Sequence, residues 1–309
     1  MRLGIDIGGT KTAAVVLDRE GAVLASATAP SGRGNNDVVA QAAHQARRVV
    51  AEVGGPSAIS SAGVCIPGLV DTVGGTVRHA VNLDVDDLDL GRLLGDALGI
   101  GVVVENDVKA AALGAHRLRK RGLDDTLAYL NLGTGLAAAV VHAGSVVRGV
   151  DGVAGEIGHI PVGGDVLCAC GQTGCLETLA SGTALLRIWP EAPDHGWDLF
   201  GRAAGGDGAA VLAAESLCHG VALAIQVLVL GCGAQDVVVS GGLTAMGDPL
   251  LEAIRAELRV RGEASPFLAS LGLPDRVSFI ATDVPVAAIG AAHLVRPAAT
   301  TPEVTTWRS

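Results

Sequence analysis

The feature that most constrains this chain is a repeat. Residues 3–25, LGIDIGGTKTAAVVLDREGAVLA, read as an alternating apolar strand, a glycine turn, a second strand, a polar tip and a third strand. Residues 127–149, LAYLNLGTGLAAAVVHAGSVVRG, run through the same succession. In both copies the apolar alternation meets glycines where the chain reverses, which lets the backbone come close to a ligand. Helix-like and strand-like stretches then alternate. In the first half the periodicity predicts a helix at 37–53, strands at 58–65 and 101–105, and a helix at 107–119. In the second half it predicts a helix at 208–230, a strand at 236–240, a helix at 244–261 and a strand at 277–281.

Two similar α/β domains are therefore expected, and 309 residues suffice for each to bury a core. The charged stretch RLRKRGLDD places their boundary near 115–125. A smaller N-terminal domain would span 1–117, joined by a last helix at about 285–296 that packs back on it, and a larger domain would span 118–284. The Pro- and Thr-rich end, 297–309, reads as a flexible tail.

What such domains bind is limited by charge and cysteine usage. The net charge is -10, and the 22 basic residues are scattered except for HRLRKR at 116–121, so nucleic acid is not expected as a partner. Hydrophobic residues make up 49% but aromatics only 2%, which leaves Ala, Val and Leu to build the cores. The start, MRLGIDIGGTK, enters a strand directly, without the pattern of a signal peptide. The longest apolar stretch, GVALAIQVLVLGCGA at 220–234, is interrupted by Gln226 and glycines and reads as a buried helix shorter than a membrane span. A cytoplasmic protein without membrane contact is expected, its six cysteines reduced. Cys65, Cys218 and Cys232 stand alone in apolar surroundings and read as buried small residues.

Glycine turns that expose backbone N–H groups make anion sites, and two of them facing across a cleft suit a polyphosphate. The first turn, Gly8 and Gly9, is flanked by Asp6, Thr10 and Lys11: a carboxylate for a metal ion, with a hydroxyl and a cation for phosphate. The spacing is not that of a P-loop. GGTK alone is also a plain hairpin turn, but the second copy, Gly133, Thr134 and Gly135, favours the ligand reading. VVVENDVKAAALGAHR, 102–117, is a strand whose polar end opens a helix. There Asn106 or Asp107 can serve as helix cap, while Asp107 at a strand's carboxyl end can also accept a proton from a sugar hydroxyl. Gly241 and Gly242 join a strand to a helix, either as a tight connection or lying against an adenine or ribose.

LCACGQTGCLE, 167–177, raises a different chemistry. His159, Cys168, Cys170 and Cys175 offer one imidazole and three thiols within 17 residues, the set of a closed tetrahedral zinc site, with free thiols the alternative. Four protein ligands leave no open position, so the metal would be structural. By fixing His159 and Cys175 it would also fix Glu156 and Glu177, two carboxylates suited to paired sugar hydroxyls; unfixed, they are ordinary surface acids.

DIGGTK, END, GTG, GEIGH and CACGQTGCLE, in this order, resemble the motifs of the ROK family of bacterial sugar kinases and repressors, over about residues 3–295. The resemblance implies the actin-like ATPase fold, two ribonuclease H-like domains around a central cleft, with ATP, Mg²⁺ and a structural zinc. It makes Asp107 the catalytic base and gives Asn106, Glu156, His159 and Glu177 to the sugar. Gly68 in IPGLVD and Asn82 in AVNLD fall where relatives line the sugar pocket. It also implies a homo-oligomer, a dimer or tetramer. ROK repressors carry a helix–turn–helix ahead of this body; here the hairpin begins at residue 3, which favours an enzyme. Two departures stand out. GTG runs into LAAAVV where relatives continue with glycines, and Lys109 stands where they have a small or polar residue.

The expected reaction is transfer of the γ-phosphoryl group of ATP to the 6-hydroxyl of a hexose, glucose first. Kinases of N-acetylmannosamine, N-acetylglucosamine, fructose or a cyclitol are alternatives of the same class. A sugar sensor without catalysis is an alternative of another class, but it would need neither Asp107 nor the two glycine turns.

Overall fold

The structure is a computed structural model and describes residues 1–119, 122, 124–192 and 198–294. The first repeat folds as an antiparallel meander of β1 (Arg2–Ile7), β2 (Lys11–Leu17) and β3 (Val23–Pro30), followed by α1 (Gly34–Glu52). Then come β4 (Ser61–Ile66), a small hairpin of β5 (Leu69–Asp71) and β6 (Thr76–Arg78), α2 (Leu90–Leu98), β7 (Val102–Asn106) and α3 (Asp107–Arg119). β4 lies parallel to β1, and β7 parallel to β4, giving the sheet order β3-β2-β1-β4-β7.

The second repeat builds β8 (Thr126–Leu132), β9 (Leu136–His142) and β10 (Ser145–Val147). A long loop leads to α4 (Gly182–Ile188), α5 (Leu199–Ala204) and α6 (Gly208–Cys232). After them come β11 (Asp236–Ser240), α7 (Asp248–Ala264), α8 (Pro266–Ser270), β12 (Val277–Phe279) and α9 (Val286–Ala292). The order is β10-β9-β8-β11-β12, again three antiparallel strands and two parallel ones.

Packing joins the two sheets through a shared helical layer. α9 lies on β1, β2 and β4 and against α3, which in turn packs mainly on β8 and β9. Glycines permit the approach. Gly4 and Gly63 are partners across β1 and β4, and a β-carbon on either would collide with a carbonyl of α9, from Ala288 or Ala291. Gly114 and Gly290 do the same where α3 meets α9. The aliphatic residues of α3 and α9, among them Ala111, Ala115, Val286 and Ala291, form one cluster with Cys65, Tyr129 and Val238. α1 and α2 cover the outer face of the first sheet, and α6 and α7 that of the second.

Several boundaries differ from the sequence expectation. The helix expected at 244–261 is split: a 3₁₀ turn, Gly242–Met246, ends at Gly247 with φ 65, and α7 begins at Asp248. A left-handed glycine breaks helical hydrogen bonding, and Pro249 restarts it in the first turn. The last strand stops at Phe279 rather than 281. α6 is 25 residues and apolar, long enough to cross a membrane by length and composition, which corrects the reading of a stretch too short to span. It is nonetheless built into the second core, with Leu217, Val221, Ile225 and Leu228 buried. Cys65 and Cys218 are buried, but Cys232 is exposed where the end of α6 leaves the core. Residues 120, 121 and 123 of the expected boundary, and 295–309 with the expected tail, lie outside the described residues.

Candidate functional site

β1, β4 and β7 run side by side, so Asp6, Cys65 and Glu105 stand in register and the strand ends open on one edge. Beyond that edge the first glycine turn is tied down from behind. The N–H of Gly8 donates to the Lys11 carbonyl at 2.9 Å, the Ser31 hydroxyl donates to the Gly8 carbonyl at 2.6 Å, and the Ser31 N–H to the Thr10 carbonyl at 3.1 Å. Gly9 faces Asn82, whose Cβ is 3.4 Å from where a Gly9 β-carbon would sit. Thr10 and Lys11 are exposed at the tip.

The helix-cap question resolves in favour of Asn106. Its Oδ1 accepts from the N–H groups of Val108 at 3.0 Å and Lys109 at 3.2 Å, and its Nδ2 donates to the Gly68 carbonyl at 3.3 Å. Asp107 is thereby released from capping, although its Oδ1 accepts the Val108 N–H at 2.9 Å. Burial raises the pKa of Asp107, and the charge of Glu156 adds to the rise, against the Val108 N–H and the Lys109 cation. Asp6 is pushed up to about 7, first by burial and then by Asp107, with the Cys65 thiol and Lys11 opposing. A carboxyl raised in this way is suited to take a proton near neutral pH.

The second glycine turn is held differently. The Gly133 carbonyl accepts the Gly182 N–H at 2.8 Å, and the Thr134 carbonyl accepts the Thr183 N–H at 3.1 Å and its hydroxyl at 3.0 Å, so α4 begins on the turn. Glu177 Oε2 accepts the Leu136 N–H at 2.9 Å. A β-carbon on Gly135 would collide with that carboxylate, so any larger residue there would displace Glu177. A cavity of about 310 Å³ adjoins the turn, lined by Gly133, Thr134, Thr183, Leu186, Gly242 and Leu243. Gly241, at φ 107, packs against the backbone of Leu132 behind it. Ala138 and Ala139 are buried inside β9, on opposite faces, and serve packing.

His159, Cys168, Cys170 and Cys175 come together with all four donor atoms within 4.8 Å of one another. Cys170 Sγ lies 3.6 Å from Cys175 Sγ, and Cys168 Sγ lies 3.7 Å from His159 Nδ1. Tetrahedral zinc with bonds of about 2.3 Å to sulfur has donor–donor edges of about 3.7 Å, so the donor set fits that ion in chemistry and spacing. Cys168 Sγ also reaches Glu177 Oε1 at 3.9 Å. Glu177 therefore links this cluster to the second turn, while Glu156 is exposed at the cleft.

A second cavity, of about 520 Å³, is lined by Gly68, Asn106, Lys109, Arg148 and Glu156 among others. Lys109 is only 4% exposed and is part of its wall. The largest cavity described, about 710 Å³, lies apart between α2 and the edge strand β7 and contains none of the site residues.

The ROK family model matches residues 2–295. The chain belongs to the ROK family. A glucokinase of Halalkalibacterium halodurans is 30% identical over 321 residues, which covers 95% of this chain and 94% of that one. The ROK hexokinase from Thermus thermophilus superposes with a TM-score of 0.78 at 31% identity, over 94% of this chain and 96% of its own. A ROK glucokinase from Streptomyces griseus, solved with glucose and AMPPNP, gives 0.73 at 30% identity, over 96% and 99%. The fold of this ROK protein is accordingly the actin-like ATPase fold.

Sequence reasoning missed the braces of both glycine turns and one buried ion pair. Ser31, Gly182 and Thr183 brace the glycine turns from distant segments, and no local pattern marks them. Glu105 pairs with Arg148 across the two halves. Its signal was available, since a lone acid in the apolar strand VVVEN implies a buried partner.

Proposed function

We propose that this ROK protein is an ATP-dependent hexose kinase that phosphorylates the 6-hydroxyl, with glucose as first acceptor. The observation that carries this reading is Asp107, a buried carboxyl of raised pKa where Asn106 takes the helix cap, within electrostatic reach of both Asp6 at the end of β1 and Glu156. Asn106, Glu156 and His159, with Gly68, Asn82 and Glu177 around them, would hold the sugar so that its 6-hydroxyl meets Asp107. Asp107 takes the hydroxyl proton as the oxygen attacks the γ-phosphorus and the bond to the β-phosphate oxygen breaks, leaving ADP. The transition state is loose, so positioning and charge neutralisation supply most of the acceleration. The two glycine turns, with the N–H groups of Gly8 and Gly133 spent on shaping them, would hold the phosphates through the N–H groups of Gly9 and Gly135, the hydroxyls of Thr10 and Thr134, and Lys11. Asp6 would hold the Mg²⁺ that arrives with ATP. The cavity beside Gly241 and Gly242 would take the nucleoside, and its leucines offer an apolar face to the base.

His159, Cys168, Cys170 and Cys175 would bind zinc, which supplies no reactivity but braces the loop carrying Glu156 and Glu177. With Nδ1 of His159 turned to the metal, its Nε2 remains for a sugar hydroxyl. A homo-oligomer, a dimer or tetramer, working in the cytoplasm, completes the reading. Lys109 favours a second one: a buried cation on the cavity wall suits an acceptor with an extra oxygen, such as an N-acetylated hexosamine.

The test is ADP release, coupled to a detecting enzyme, against glucose, mannose, fructose, N-acetylmannosamine, N-acetylglucosamine and a cyclitol. Glucose with the highest kcat/KM supports the first reading and an N-acetylated sugar the second. ADP release with none of them would leave a sugar sensor.

A further inference from the structure

We infer that Glu105 and Arg148 form a positioning latch that sets the width of the acceptor cavity. The inference rests on the kinase reading, because it takes the cavity beside Asn106 and Glu156 as the place of the sugar.

Glu105 is almost fully buried, its side chain 2% exposed at the end of β7. A carboxylate removed from water to that degree is unfavourable by several kcal/mol unless it is paired and hydrogen-bonded. Glu105 is both. Its Oε2 accepts from Nε of Arg148 at 2.7 Å and lies 2.7 Å from Arg148 Nη2, while its Oε1 accepts the Asn106 N–H at 3.0 Å. One carboxylate thus holds Asn106 on one side and Arg148 on the other.

The two partners reach the cavity lining from different halves of the fold. Asn106 continues into the wall made by Gly68 and Lys109, through its own hydrogen bond to the Gly68 carbonyl. Arg148 follows β10 of the second sheet and begins the loop that ends at Glu156. That loop contains Gly149, Gly152 and Gly155, all at positive φ, so its backbone has little stiffness of its own. Its far end is pinned where the Ala138 N–H donates to the Gly155 carbonyl at 2.8 Å. Its near end is pinned by Arg148, whose carbonyl also accepts the Ala154 N–H at 3.1 Å. The guanidinium ties the start of this loop to β7. The planar fork of arginine fixes both distance and direction to the carboxylate; a lysine would fix distance alone.

The experiment measures hexose and AMPPNP affinity by calorimetry on the zinc-loaded protein. The variants are Glu105→Gln with Arg148→Met together, which leaves no buried charge unpaired, and Arg148→Lys alone. The double variant should bind the hexose at least about tenfold more weakly and AMPPNP within about twofold of wild type, with unchanged zinc content. Arg148→Lys should fall between. A purely structural pair would lower the melting temperature and leave hexose affinity unmoved, and that result would overturn the latch. Should the double variant not fold, the same comparison on Arg148→Lys decides. Wild-type protein that neither binds nor phosphorylates any hexose would sink the kinase reading, whereas normal wild-type turnover with unshifted variants sinks the latch alone.

Discussion

The two sheets share strand order, hairpin and glycine turn, yet they carry different chemistry. Around the first turn ionisable groups are concentrated: Asp6 at the end of β1, Lys11 at the tip, and Asp107 where β7 becomes α3. Around the second, Gly133–Gly135 carries no charge of its own, and the acid that touches it, Glu177, arrives from the cysteine loop. The turns are also braced differently, the first by a serine from β3's end and the second by the start of α4. A repeated backbone supplies two equivalent glycine turns; on the proposed reading, what grows on each would give the proton to one half and the fixing of the geometry to the other.

That division can be broken in order of expected effect. Asp107→Asn should reduce kcat by about 10³-fold or more, read as ADP release, with hexose affinity within a few-fold of wild type. Retained turnover would move the base elsewhere.

Asp6→Asn should cost about 10²-fold in kcat and act on stability in the opposite sense. Burial lifts Asp6 from 3.8 to about 7, so between those values the folded state holds a proton that the unfolded chain has released. Native stability therefore falls as pH rises through that window. The Asn variant, which has no such group, should melt at a higher temperature than the parent at about pH 8 and at the same temperature at about pH 3. No gain at pH 8 would mean that Asp6 is not held uncharged.

In the second half, Cys175→Ser should release zinc by elemental analysis and weaken hexose binding by about 10–100-fold, with turnover at saturating sugar affected less. Full hexose affinity in a zinc-free protein would show that the cysteine loop does not set Glu156 and Glu177.

The smallest effect belongs to Lys109→Met. Removing a cation that favours ionised Asp107 raises that carboxyl further, so the acid limb of kcat/KM should move to higher pH. The loss should be larger at about pH 6 than at about pH 8.5. An equal loss at both would make Lys109 a packing residue.

The parts legible in the chain were those written locally. Strand alternation around Gly8–Gly9 and Gly133–Gly135 gave the hairpins, and the spacing of His159, Cys168, Cys170 and Cys175 placed four donors together. The helix expected at 244–261 went wrong because hydrophobic spacing continues across Gly247, whereas its φ does not continue the helix. Cys232 is exposed, against its apolar sequence context, because apolar neighbours in sequence are not neighbours in space at a helix end.

What the sequence determined on its own was periodicity, turn chemistry and the donor set, because each depends on residues a few positions apart. Only the tertiary structure decided that Asn106 caps α3 and frees Asp107, that Glu177 lies on the second turn, and that Glu105 finds Arg148 43 residues away. Those outcomes depend on how two sheets close on α3 and α9, where Gly4, Gly63, Gly114 and Gly290 let backbones touch. Pairings fixed by such close packing have no local signature, since the energy that selects them arises only once the distant segments have met.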